Sequence, residues 1–90
     1  MTMHFEGAKI TEQGVTFGIV TVKPHVLHSS REQDGPRALG VQAFGPIPII
    51  LVAQDSRGVP TYQGRTDIVH FLVNILVEQI PWQRYTLTAA

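Results

Sequence analysis

The chain of 90 residues contains no cysteine, so disulfide bonds, thiolate catalysis and cysteine-ligated zinc are excluded. Charged residues are scarce as well. They make up 16% of the chain, whereas a typical globular domain has about 25%. Seven acidic residues balance seven basic ones. A net charge of zero removes the repulsion that keeps molecules apart, and this favours association.

Clusters of basic residues and long apolar stretches are also missing. No two lysine or arginine residues are adjacent, which argues against a nucleic-acid partner because phosphate binding needs grouped cations. The longest apolar run, residues 47–53, is far shorter than the roughly 20 residues that cross a bilayer. The opening residues "MTMHFEGAKI" lack the pattern of a signal peptide. We therefore expect one domain over residues 1–90, cytoplasmic, with no nucleic-acid or membrane partner.

What the sequence does contain is a series of short segments typical of β-strands. Residues 15–23 are β-branched and aromatic, and residues 47–54 form an unbroken apolar run, so both predict buried strands. Pro60 cannot donate a backbone hydrogen bond, so its strand is expected at an edge of the sheet. The predicted strands are residues 3–10, 15–23, 47–54 and 59–63, with the tail "WQRYTLTAA" as a possible fifth.

Two helices are predicted between these strands. Ser29 and Glu32 have the spacing of a capping box, but Gly35 and Pro36 argue against a long helix there, so we place the first helix from Pro36 to Gly45. The second spans residues 67–80, with Thr66 as its N-cap and Pro81 beyond its end. The order is β-β-α-β-β-α(-β). It predicts an α+β fold with a mixed sheet in which the second and third strands are parallel.

The segment "PIPIILVAQDSRGVPTYQGRTDIVHFL", residues 46–72, resembles the closing strand, hairpin and helix of a thioredoxin-like domain. This resemblance covers about a third of the chain, and it implies a cis peptide bond between Ile47 and Pro48. The CxxC motif of that family is absent, as is the strand–helix unit that carries it. Redox function therefore does not follow from the resemblance.

The predicted second helix has very little polar surface. Nine of its fourteen residues are apolar, and Asp67, His70, Asn74 and Glu78 fall within one narrow stripe. A helix on a small sheet needs only one apolar stripe, so we expect the other apolar face to meet a second copy of the chain. An alternative is that the C-terminal tail folds back over this face. The predicted interface residues are Val69, Val73, Leu76, Ile80 and Trp82.

Polar side chains are expected to gather where the two parallel strands end, the usual location of ligands in such sheets. A small anion is the favoured ligand. A metal shared by His25 and His28, or a hydrolytic Ser56 beside Asp55, are weaker possibilities, because surface histidines and ordinary turn chemistry explain those residues equally well. The candidate residues are Lys23, His25, His28, Arg37, Asp55, Ser56 and Arg57.

A second candidate binding site comprises Tyr62 and Arg65, just before the second helix. Its simpler interpretation is a surface ion pair of Arg65 with Asp67 or a glutamate. We expect no resident cofactor or metal and no catalytic residue. The favoured function is a non-catalytic, self-associating binding module. The alternative is a small enzyme or ligand-binding subunit whose site lies at the carboxyl ends of strands two and three across a dimer.

Overall fold

Five strands form one mixed sheet in the order β4-β3-β2-β1-β5 in the computed structural model, which describes residues 2–88. β2 and β3 are parallel, and the other neighbouring strands are antiparallel. The α+β fold with a mixed sheet is therefore confirmed, including the fifth strand. The elements are β1 (Thr2–Glu12), β2 (Val15–Thr21), α1 (Ser30–Phe44), β3 (Ile49–Gln54), β4 (Pro60–Gln63), α2 (Thr66–Leu72) and β5 (Gln83–Thr88), with 3₁₀ helices at Pro24–His28 and Val77–Gln79.

The sheet carries apolar side chains on both faces, because successive residues of a strand point to opposite sides. α1 covers one face, and α2 together with the segment that follows it covers the other. β3 contributes to both clusters, as its unbroken apolar run predicted. The cluster under α1 contains Phe5, Val20, Phe44, Ile49 and Leu51. The cluster under α2 contains Ala8, Phe17, Ile19, Ile50, Val52, Tyr62, Ile68, Leu72 and Ile80.

Helix α1 begins at Ser30, so the predicted start at Pro36 is wrong. The side chain of Ser29 accepts a hydrogen bond from the amide of Glu32 at 3.3 Å, as its capping spacing allowed. Gln33 is buried, and its amide group donates to the carbonyls of Val26 and Leu27. These contacts fix the first turn, and Pro36 lies within the helix at the expense of one backbone hydrogen bond.

Helix α2 ends at Leu72, so its predicted extension to residue 80 is wrong. Thr66 is its first residue rather than its N-cap. The N-cap position belongs to Arg65, which makes no side-chain capping hydrogen bond. At the other end, the Asn74 side chain donates to the carbonyl of His70 at 2.7 Å, offering that carbonyl an alternative to continued helix. The chain then turns, and residues 77–79 form a 3₁₀ helix.

The strand–hairpin–helix unit expected from the thioredoxin-like segment is present as β3, β4 and α2. The expected cis bond between Ile47 and Pro48 is wrong, since none of the peptide bonds described in residues 2–88 is cis. Among the same residues, no helix combines the length and the apolar character that crossing a membrane requires.

Candidate functional site

A cleft lies on the α2 side of the sheet, at the carboxyl ends of β2 and β3. Its volume is about 430 Å³. α2 packs over the opposite end of this face, where Ile68 and Phe71 approach Val15 and Phe17, which leaves the carboxyl ends open. The cleft is lined by Glu6, Thr21, Val52, Gln54, Arg57, Gly58, Val77, Glu78 and Trp82. The location agrees with the general position of ligands in sheets with parallel strands.

Of the seven residues predicted to form a site here, only Arg57 lines the cleft. Asp55 is occupied by the turn between β3 and β4. Its carboxylate accepts the amide protons of Arg57 at 2.8 Å and of Val59 at 2.9 Å. Ser56 is exposed in the same turn. This is the local chemistry of an Asx turn, and it leaves Asp55 little capacity for a ligand.

Lys23, His25 and His28 are exposed in and beside the 3₁₀ helix after β2, and none of them lines the cleft. Nε2 of His25 lies 3.7 Å from the carboxylate of Glu32 on α1, and both side chains are exposed to solvent. Within residues 2–88, no group of three or more potential ligands is arranged to hold a metal ion.

Arg37 was expected at this same rim, and that placement is wrong. Its guanidinium donates to the carbonyl of Ile49 at 2.7 Å and to the side-chain oxygen of Gln63. Ile49 begins β3 and Gln63 ends β4, so Arg37 lies at the amino end of β3, one strand length from Asp55. A partly buried arginine with both ends of its guanidinium engaged links the two strands. An anion site built from Arg37 and Lys23 therefore does not form.

The second candidate pair is divided between the core and the surface. Tyr62 is buried in the cluster under α2, and burial raises the pKa of its hydroxyl, which has no hydrogen-bond partner within residues 2–88. Arg65 is exposed and forms two hydrogen bonds to Asp67, at 2.8 and 2.9 Å. These hydrogen bonds hold the pKa of the Asp67 carboxyl below its ordinary value.

Five residues with polar groups line the cleft and were not among the predicted binding residues. They are Glu6, Thr21, Gln54, Glu78 and Trp82. Successive residues of β1 point to opposite faces of the sheet, so the position of Glu6 in the strand indicated the face on which its side chain lies. It did not indicate which other segments of the chain pack over that face. Glu78 and Trp82 reach the cleft because the chain turns back after α2. The sequence pattern predicted a continuous helix over residues 67–80 and not that turn.

The five predicted interface residues fall into two groups. Ile80 is only 3% exposed, and Val69 and Trp82 pack partly buried against the same cluster under α2. The Trp82 indole also donates to the carbonyl of Val77 at 2.9 Å. Val73 and Leu76 are 62% and 65% exposed, the largest exposures among the bulky apolar residues described. Ile80 therefore belongs to the core of its own chain, and among the five predicted residues Val73 and Leu76 are the most exposed.

A second groove, of about 420 Å³, lies between β1 and the segment formed by the end of α2 and the turn that follows it. It is bounded by Lys9 to Glu12 of β1, beyond the point where β5 stops pairing with that strand. Its apolar lining includes Ile10, Phe71 and Ile75. We call β5, this stretch of β1 and the turn 73–76 the β5 margin of the sheet.

The chain was compared with models of known protein families, with curated proteins and with solved structures, and none of them matches it. The class of the protein is thus given by its fold alone, a five-stranded mixed sheet with a helix on each face.

Proposed function

We propose that the protein is a non-catalytic module that acts by associating with a second copy of itself through the β5 margin. The observation that carries this proposal is the exposure of Val73 and Leu76 in the turn after α2, next to Ile75 of the apolar groove. Leaving one such side chain in water forgoes roughly 1.5–3 kcal/mol relative to burying it. A partner that covered both would recover much of that free energy.

The size of the apolar surface indicates how far this interface must extend. A stable interface buries about 800 Å² on each partner, which two side chains cannot supply. The neighbouring groove adds Ile10, Phe71 and Ile75, and the sheet edge adds backbone hydrogen-bonding groups. The chain has no net charge to oppose the approach of an identical copy. These properties together support self-association over the whole margin.

Sedimentation equilibrium from micromolar to several hundred micromolar tests this proposal. We expect the wild-type chain to sediment as a species of twice its 10.0 kDa mass. Val73→Ser and Leu76→Ser should both weaken the association. Val59→Ser is the matched control, because Val59 is 54% exposed but precedes β4 at the opposite side of the sheet. A wild-type chain that remains monomeric throughout, or equal weakening by the control, would contradict the proposal.

The cleft supports a second candidate function, the binding of a small polar molecule. It brings the carboxylates of Glu6 and Glu78, the guanidinium of Arg57 and the indole of Trp82 around one space at the carboxyl ends of β2 and β3. A volume of about 430 Å³ falls within the range of small-molecule sites. The lining carries two negative groups and one positive group, so it suits a ligand with a positively charged group better than a simple anion.

Thermal unfolding in the presence of amino acids, polyamines and nucleotides tests the second function. A ligand held only by the native state raises the melting temperature, and the rise grows with the logarithm of the ligand concentration once this exceeds the Kd. Glu6→Gln should abolish such a shift, whereas Asp34→Asn, exposed on α1 and outside the cleft, should preserve it. Identical shifts in both variants would exclude the cleft as the site.

A further inference from the structure

The backbone of β5 has one edge paired and one edge open. In β2, the amides of Gly18 and Val22 donate to β3, so the alternate residues Ile19 and Thr21 direct their backbone groups to β1. β1 pairs with β2 and with β5 in antiparallel registers without a bulge. The same alternation of backbone direction therefore continues through β1 to β5. Gln83, Tyr85 and Leu87 therefore face β1 with their N–H and C=O groups. The backbone groups of Arg84, Thr86 and Thr88 point away from the sheet.

The opposite edge of the sheet is protected from pairing. β4 has four residues, and Pro60 has no amide proton to donate. β5 has six residues without proline, and its threonine, tyrosine and leucine side chains suit a strand. Head-to-tail pairing of β5 with β4 of another copy would also build an open chain of molecules. Pairing of β5 with itself closes after two copies.

We propose that β5 pairs in antiparallel orientation with β5 of a second copy, about a two-fold axis at Thr86, to form one continuous ten-stranded sheet. This rests on the proposed self-association and specifies how its β5 edge pairs. Outward residues must pair with outward residues in an antiparallel ladder. An axis at Thr86 pairs all three outward residues of β5, which are Arg84, Thr86 and Thr88. An axis at Tyr85 leaves Thr88 without a partner in β5 of the other copy.

The side chains of this register are complementary. On the α1 face, Tyr85 of each copy lies opposite Leu87 of the other, and both residues are already half-buried beside the cluster under α1. On the other face, Thr86 meets its own counterpart, and Arg84 lies opposite Thr88. Arg84 is the charged residue of β5, so this register places no like charges opposite each other.

Single-cysteine variants test the register, since the natural chain has no cysteine to interfere. The Cα atoms of Thr86 in the two copies should be about 5.5 Å apart, a separation that a disulfide spans. We expect Thr86→Cys to give a covalent dimer on mild oxidation. Arg84→Cys is the control. The Cα atoms of residue 84 in the two copies lie four residues apart along the strands, roughly 14 Å, which is too far for a disulfide.

Proline at the same position tests the backbone pairing. The amide of Thr86 points outward, so Thr86→Pro leaves the ladder between β1 and β5 intact while removing both hydrogen bonds of the central pair. We expect the dimer dissociation constant to rise at least about thirtyfold. Thr86→Ala is the matched control. It also loses the side-chain hydrogen bond to His4, at 3.1 Å, but keeps the amide, so its association should stay near that of the wild type.

The outcomes separate this inference from the proposed function. A wild-type dimer in which Thr86→Cys fails to cross-link, or Arg84→Cys cross-links equally well, overturns the β5 pairing and leaves self-association standing. A wild-type chain that is monomeric overturns both. Selective cross-linking of Thr86→Cys supports the pairing even if Thr86→Pro does not fold.

Discussion

Ile80 and Leu76 are four residues apart, and a continuous helix over residues 67–80 would place them on one face. The structure separates them, because Ile80 is 3% exposed and Leu76 is 65% exposed. We therefore expect Ile80→Ala to lower the free energy of unfolding strongly and Leu76→Ala to leave it nearly unchanged when both variants are studied at concentrations where the chain is monomeric.

The expected magnitudes follow from burial. Ile80 belongs to the cluster under α2, and removing a buried isoleucine side chain typically costs 2–5 kcal/mol through lost transfer free energy and the cavity left behind. Leu76 has no comparable burial, so its substitution should stay within about 0.5 kcal/mol. In a domain of this size, a loss of 1 kcal/mol lowers the melting temperature by about 4–8 °C. The two variants should thus differ by 10 °C or more.

Urea unfolding followed by far-ultraviolet circular dichroism measures both free energies directly. The slope against urea concentration should remain equal in the two variants and the wild type, since the same surface is exposed on unfolding. Equal destabilisation by the two substitutions would show that residues 73–80 continue as a helix with a shared face. That result would refute the turn after Leu72 and the assignment of Ile80 to the core.

Three further predictions concern the fold. Ser29→Ala should lower the stability by about 1 kcal/mol in urea unfolding, because it removes the N-cap of α1, whereas no loss would place the start of the helix later. Gly18→Ala should cost about 1–3 kcal/mol, measured as a lowered melting temperature, since the added Cβ would overlap the buried ring of Phe44. Arg65 depresses the folded pKa of Asp67, so this carboxylate contributes stability above its unfolded pKa of about 3.9 and loses it as the pH falls through the folded value. Asp67→Asn should therefore melt below the wild type at neutral pH and together with it in strong acid, and a constant difference across the pH range would contradict this.

Much of the sheet could be predicted from the sequence. The alternation of β-branched and apolar residues located four strands within a few residues of their ends. Gly14 lies in the hairpin between β1 and β2, where it takes a positive φ of 79°. The unbroken apolar run of β3 indicated a strand buried on both faces. These features depend on neighbouring residues and on burial alone, so local sequence carries them.

The residues around the candidate cleft were mostly not predicted. The order of strands indicated that the carboxyl ends of β2 and β3 would meet, and a cleft lies there. Its lining could not be predicted, because Glu6 comes from β1 and Trp82 from the segment before β5. Whether residues so distant along the chain converge depends on the strand order of the whole sheet.

Side-chain periodicity and turn residues act over a few positions, so the strands, the parallel pair and the mixed sheet could be predicted without the structure. The boundaries of both helices depend on contacts between distant parts of the chain. α1 extends through Pro36 because Ser29 caps its first turn and Gln33 is anchored to the preceding loop, contacts that outweigh one lost hydrogen bond. α2 stops at Leu72 because turning the chain brings Ile80 and Trp82 onto the sheet, where they are sheltered from water. Helix propensity is weak beside the burial of large side chains, so packing set both boundaries.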